Sequence, residues 1–405
     1  APSTGLSRGM VVNPGKTLES IKASVKEAEE RSGYDIKSVT VGIAGPHIRC
    51  IQSEGIVAIS HPDRIITEDD IERLYESAKS LKLSKDEKII DVIPQEFIID
   101  SKDGIFDLPI GMFGLRMEAK VNILTGLVSQ IDDLSNCVQS CGVDIDDIVL
   151  EPLASSYAVL NESEKKVGVA MIDIGGGTTD IAVFFDGSIR YTDMLGLAGQ
   201  QVTSDISICM KCAYDRAEEL KKQNGSAMTS LVEPEEIVEI PSVGGRPSRE
   251  VLRKDLAKII EARMEEIFNL VLYRIKQKKL LNVMNAGVVL TGGGSMLDGT
   301  VELATQVFQI PVRIGYPRGF GGLMDVASSP IYATGVGLIH YGVQKDKFQA
   351  QEDFEETNEH QENEMHDEHM PSANGDDHHT GHHNGDGQLY SKIMNRMTRW
   401  MDEFF

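Results

Sequence analysis

The segment Met171–Gly187, MIDIGGGTTDIAVFFDG, places three glycines, two threonines and two aspartates between apolar runs. Gly175, Gly176 and Gly177 allow positive φ and close backbone approach, so that successive N–H groups can line one concavity and hold an anion. Thr178 and Thr179 add hydroxyl donors. Asp173 stands at the end of the preceding strand, where a carboxylate can hold phosphate-bound Mg2+ through water. Asp180 either joins that chemistry or only orders the turn. A tight hairpin is the plain alternative, but it needs fewer than three glycines. The chemistry this pattern points to is phosphate binding.

A second turn repeats the arrangement. In Val288–Leu297, VVLTGGGSML, an apolar run enters Gly292, Gly293 and Gly294, and Ser295 follows near a helix start. Such a turn brings backbone N–H groups close to a nucleotide. Alone it is weak, because many strand–helix turns carry glycine. Two of them, over 100 residues apart, suggest a nucleotide held between two loops. In AEELKKQNG, Glu218 and Lys221 share a helix face and could reach a ribose and an adenine; taken alone they read as a surface ion pair. Cys209 and Cys212 form a C-x-x-C with no second pair or nearby histidines, so they read as buried thiols.

These loops need a layered α/β scaffold. Helices are expected at 17–31 with Thr17 as cap, at 67–82 with a Thr67/Asp70 capping box, and at 129–141 ending at Gly142. Strands are expected in VTVGIAG, IRCIQSEGIVAI, KIIDVIPQEFIID and LRMEAKVNILTG, then at 167–173, 181–185, 286–291 and 312–314. Residues 202–283 read as mainly helical, at 203–213, 215–223 and 249–280, and a helix at 297–308 follows the second turn. Apolar strands alternating with helices imply an α/β fold with covered sheets, interrupted by inserted subdomains.

The 405 residues imply two or more domains, and a formal net charge of −23 excludes a nucleic-acid partner. Five cysteines, an odd number without framework spacing, indicate a reducing compartment. The absence of a signal peptide and of an 18-residue apolar run leads to the expectation that the chain neither spans a membrane nor is exported. Residues 344–388 hold two Lys against thirteen Asp/Glu, with seven histidines and few apolar residues. They read as a disordered acidic spacer that cannot bury enough surface to order itself. Residues 389–405, LYSKIMNRMTRWMDEFF, differ. On a helical wheel Leu389, Tyr390, Ile393, Met397, Trp400, Met401 and Phe404 share a face, with Met394 and Phe405 at its edge. Lys392, Arg396 and Arg399 cluster on one flank. This is the pattern of an amphipathic helix lying on a membrane surface, where stable attachment needs several copies at once.

Together these stretches resemble the actin/Hsp70/sugar-kinase ATPase superfamily. DIGGGTTD is similar to its second phosphate motif and LTGGGS to its adenosine motif. EPLASSYAVL and YATGVGLIHYG resemble its two connecting helices, and the Glu218/Lys221 pair resembles its adenosine-contacting pair. Within it, SRGMV, VIPQEFIID, VTSDI, IPSVGGRPSR, VRIGYP and the amphipathic tail resemble the bacterial cell-division FtsA family over nearly the whole chain except the spacer.

The resemblance implies an actin-like fold, with subdomain 1A at 1–51 and 148–166 and subdomain 1C, replacing 1B, at 52–147. Subdomain 2A falls at 167–205 and 285–343 and subdomain 2B at 206–284. It further implies binding of ATP with Mg2+, self-association into filaments, and attachment of FtsZ to the cytoplasmic side of the bacterial inner membrane at the division septum. The FtsZ tail would dock on 206–284, with Lys254 and Arg263 as candidate contacts. Subdomain 1C is associated with self-interaction and with later division proteins. Such a protein is at most a weak ATPase and chiefly a structural adaptor. The family's first phosphate loop should precede the point where this chain starts, so an open sheet edge and half a phosphate site are expected. A phosphotransferase or a chaperone- or pilus-type ATPase of the same superfamily is the alternative. No motif names a catalytic base beside a substrate pocket, and a kinase has little use for a tethered amphipathic helix; a chaperone- or pilus-type ATPase would lack the FtsZ-docking subdomain or carry a peptide-binding domain.

Overall fold

The computed structural model describes residues 1–240, 248–319, 327–343 and 345. The amphipathic tail, nearly all of the acidic spacer and most of IPSVGGRPSR lie outside the described residues. The chain divides into two compact units; the first holds Ala1–Ser53, Leu81–Gln95 and Val121–His340, and the second includes Glu54–Ser80 and Glu96–Lys120.

The first unit is built on a five-stranded sheet. Its order is Ser188–Leu195, Thr179–Phe185, Val169–Ile174, Val288–Thr291, Val312–Ile314. The first three strands are antiparallel neighbours, and the last three are parallel. The central strand is buried on both faces. Ala170, Ile172 and Ile174 pack with Val202 and Ile206 of the helix Gly199–Met210 and with Ile260, Met264 and Phe268 of the helix Arg253–Gln277. Val169 and Met171 face the other way, toward Leu153 and Val159 of the helix Glu151–Val159 and Val336 of the helix at residues 333–343. Period-two alternation under two helical layers is the physical reason this run is apolar throughout. A separate parallel pair joins Ser38–Ile43 to Asp144–Leu150, with Ile43 opposite Leu150.

In the second unit the helix Glu68–Lys79 buries Ile71, Leu74, Tyr75 and Ala78. Asp70 closes its first turn by accepting from the Thr67 N–H at 3.0 Å, as the capping pattern implied. Phe97 pairs with Ile105 and Ile99 with Lys102 in a short antiparallel ladder.

Several local expectations are corrected. The first helix spans Pro14–Ser32 and is capped by Asn13, whose side chain accepts from the Lys16 N–H at 3.1 Å; Thr17 is buried inside it. Pro14 at the first helical position favours that earlier start. Residues Arg249–Leu252 are a strand paired with Ile237–Ile240, and the long helix begins at Arg253. The run after Val167 becomes a strand only at Val169, because Glu162–Val167 form a helix with their own Asn161 cap. The helix placed at 297–308 spans Thr300–Phe308, since Gly293–Met296 form a 3-10 turn first. Cys209 is exposed rather than buried: Val202, Ile206 and Met210 take the inward face of their helix, and position 209 falls off it.

Candidate functional site

The two glycine turns leave adjacent parallel strands at the same end. Thr291 lies directly opposite Asp173 in the ladder, so both strands reach their glycines side by side. The contact is close. Gly292 has φ +79°, and a Cβ there would stand 2.3 Å from Asp173 Oδ1. A Cβ on Gly294 would stand 2.3 Å from Ile174 Cγ2. No other residue type fits either position.

The first loop is clamped from one side. Gly199 and Gln200, the first residues of the helix Gly199–Met210, donate to the carbonyls of Gly175 at 3.1 Å and Gly176 at 2.8 Å. In a trans peptide the carbonyl and the next N–H point in opposite directions. The N–H groups of Gly176 and Gly177 are therefore turned away from the helix. They and the Thr178 N–H have no acceptor among the described residues, while the Gly175 N–H closes the loop on the Thr178 carbonyl at 2.9 Å. Three adjacent free donors form an anion-binding edge. None of Gly175, Gly176 or Gly177 adopts positive φ, contrary to the sequence expectation. What the glycines provide is bare backbone.

The threonines divide in role. The Thr178 hydroxyl donates to Asp180 at 3.0 Å, and the Thr179 hydroxyl, fully buried, donates to the Leu197 carbonyl at 2.7 Å. Ser295 is likewise buried and donates to the Gly292 carbonyl at 2.7 Å. Thr179 and Ser295 thus hold the shape of their loops.

Asp173 is positioned from both flanking helices. Its Oδ2 accepts from the Ser155 hydroxyl at 2.8 Å and from the Thr334 hydroxyl at 3.4 Å, and those two hydroxyls are 2.9 Å apart. The helices can meet there because Gly337 has no side chain: a Cβ would lie 1.8 Å from the Ala154 carbonyl oxygen. Burial raises the Asp173 pKa against these hydrogen bonds. Glu151, at the start of its helix, is pushed up to about 7 by burial and then by the charge of Asp173. Asp180 is raised well above its ordinary value by burial, then by the charges of Glu151 and Asp173. Three carboxyl groups thus share a region short of positive charge.

Glu218 and Lys221 stand on the helix Tyr214–Asn224 beside the first loop. Lys221 Nζ donates to Glu218 at 2.7 Å, to the Thr203 hydroxyl at 2.8 Å and to the Gly199 carbonyl at 2.9 Å. Thr203 also bonds Glu218. Burial opposes ionisation of Glu218, but the bonds from Lys221 and Thr203 outweigh it and lower its pKa; for Lys221 burial outweighs the pair and lowers its pKa. The pair is an anchored element of the loop's surroundings rather than a loose surface bridge.

The candidate partner contacts lie elsewhere, on the long helix. Arg263 is held by Asp205 at 2.5 and 3.2 Å and by Glu266. Lys254 is partly buried and has no ion pair among the described residues. Sequence reasoning missed Glu151, Ser155, Thr334 and Thr203. Only Glu151 left a trace: a carboxylate directly after an apolar strand, at a helix start.

This scaffold is the α/β fold of the actin-like ATPases. The chain superposes on the PilM–PilN type IV pilus biogenesis complex with a TM-score of 0.60 at 15% identity, covering 85% of this chain and 89% of the other. Residues 170–337 match the family model of the cell division protein FtsA, and residues 45–125 match the SHS2 domain inserted in FtsA. The FtsA of Pseudomonas aeruginosa is 45% identical over 344 residues, 85% of this chain and 82% of the relative. That of Escherichia coli K12 is 39% identical over 348 residues, 84% and 82% of the two chains. The chain belongs to the FtsA family of cell division proteins.

Proposed function

We propose that this protein binds ATP, polymerises on the cytoplasmic side of the inner membrane, ties FtsZ to that membrane at the division septum and recruits later division proteins. The observation that carries the nucleotide part is the row of free N–H groups at Gly176, Gly177 and Thr178, beside Asp173 and the abutting turn at Gly292. The donors take phosphate oxygens. The Gly292–Gly294 turn and the Glu218/Lys221 pair flank the nucleoside.

Magnesium fits the donor set. Glu151, Asp173 and Asp180 offer hard oxygen atoms, the kind Mg2+ prefers. Among the described residues no group of three or more His, Cys, Asp or Glu is arranged to hold a metal directly. A hydrated ion held by Asp173 through water and by phosphate oxygens suits such a site. When bound, the ion supplies neutralising charge to the phosphates. Glu151, poised near pH 7, can accept a proton from a water molecule and return it. A slow hydrolysis of this kind would time a polymer rather than process a metabolite.

Membrane attachment rests on Leu389, Lys392, Ile393, Arg396, Met397, Arg399, Trp400, Met401, Phe404 and Phe405. Among the described residues no helix is long and apolar enough to cross a membrane. Lys254 is the better candidate for the FtsZ tail, since Arg263 is already committed to Asp205.

The test is co-sedimentation of the full-length protein with anionic phospholipid vesicles, ATP, Mg2+ and a labelled peptide of the FtsZ C-terminal tail. The protein should pellet and carry the peptide. Removing 389–405 should leave both in the supernatant, and Lys254→Glu should pellet without the peptide. A protein that stays soluble with or without 389–405, or that never carries the peptide, overturns the adaptor reading.

A further inference from the structure

We propose that Arg8 is a phosphate-binding residue of the nucleotide site, supplied by the small hairpin at the start of the chain. The proposal rests on the nucleotide reading above and adds to it a residue that neither glycine turn contains.

Leu6–Ser7 pairs with Met10–Val11, leaving Arg8 and Gly9 as the two turn residues. Their φ angles are +50° and +76°, the sign pattern of a type I′ turn. Asn, Asp or Gly normally fills the first position of such a turn, and a long β-carbon side chain there is conformationally strained. Backbone economy does not explain an arginine at this position.

The turn is held in place from several sides. The Gly5 carbonyl accepts from Val12 at 2.9 Å and from Asn13 at 3.0 Å. Gly9 presses on the next segment so closely that a Cβ would lie 2.5 Å from the Ala44 carbonyl oxygen. On its other side the turn meets the phosphate loop: a Cβ on Gly177 would stand 3.6 Å from Arg8 N and 3.7 Å from Arg8 Cα. The side chain then runs along Gly196, where a Cβ would stand 3.0 Å from Arg8 Cδ and 3.4 Å from Nε. A rigid hairpin thus delivers an arginine to the edge of the loop whose N–H groups are free.

The charge balance gives that arginine a purpose. Glu151, Asp173 and Asp180 crowd the same strand ends and supply no positive charge to a polyphosphate arriving there. The ammonium of Lys221 is spent on Glu218, Thr203 and the Gly199 carbonyl. Arg8 is exposed and makes no side-chain hydrogen bond or ion pair among the described residues. Its planar fork of donors suits two phosphate oxygens at once.

The experiment is titration calorimetry of the full-length protein with ATP, ADP and adenosine in the presence of Mg2+, using wild type, Arg8→Gly and Arg8→Lys. Glycine removes the cation while relaxing the positive φ, so the hairpin is not penalised, and unchanged thermal melting checks this. Arg8→Gly should weaken ATP and ADP about tenfold or more and leave adenosine unchanged. Lysine, a point charge without the fork, should recover part of the loss. Arg8→Gly with wild-type ATP affinity, or with adenosine weakened as much as ATP, overturns the assignment of Arg8 while the nucleotide reading stands. A wild-type protein that binds neither ATP nor ADP overturns the nucleotide reading, and this inference with it.

Discussion

Replacing Glu151 by Gln should stabilise the protein at alkaline pH and have almost no effect in acid. Burial, and then the negative charge of Asp173, raise the Glu151 pKa from 4.5 to about 7. Between those values the folded chain keeps a proton that the unfolded chain has released. Stability contributed at this group is therefore greatest below about pH 4.5 and declines as pH rises through about 7. The difference of about 2.5 pH units sets a ceiling of about 3 kcal/mol. Glu151 is only partly buried, and Asp173 and Asp180 share the repulsion, so about 1–2 kcal/mol is the expected gain in the variant. Gln matches the shape of the protonated acid and carries no charge at any pH. Thermal melts at several pH values should show Glu151→Gln above wild type by a few degrees at pH 8, with the gap closing toward pH 5. A gap independent of pH, or a variant less stable than wild type at pH 8, would refute the claim that Glu151 is held against its own ionisation.

The remaining predictions concern the loops. Gly292→Ala would force a β-carbon into Asp173 Oδ1 at φ +79°, so it should destabilise the first unit by about 2–4 kcal/mol and remove ATP binding. Melting within a degree of wild type would contradict the close approach of the two turns. Lys221→Met should strip Glu218 and the Gly199 carbonyl of their shared donor and weaken ATP and adenosine alike by about tenfold. If calorimetry instead finds adenosine unaffected, the pair does not serve the nucleoside end.

Much of the fold was legible because its signals are local. The capping box at Thr67 and Asp70 and the run that becomes Val169–Ile174 follow from periodicity and turn chemistry within a few residues, whereas the two helices that flank Asp173 were expected from the family resemblance. Errors arose where a distant partner intervened. Arg249–Leu252 continue a helical pattern in sequence, yet they pair with Ile237–Ile240 and extend instead. The candidate site divides in the same way. Asp173 and the glycines were marked by type and spacing, whereas Ser155 and Thr334 are ordinary hydroxyl residues until the fold brings both to one carboxylate.

By itself the sequence determined the presence of two bare glycine turns at strand ends, the acidic balance, and an amphipathic tail with a cationic flank. These are properties of composition and short-range order, and no tertiary contact is needed to see them. Only the tertiary structure decided that the two turns leave neighbouring parallel strands, that Glu151 and Asp180 share a charge-starved region with Asp173, and that a hairpin from the chain start meets Gly177. Parallel neighbours are joined by long crossovers, so nothing near either strand encodes which other strand lies beside it. That choice is made by burying both faces of the sheet at once, and the position of every charge at the strand ends follows from it.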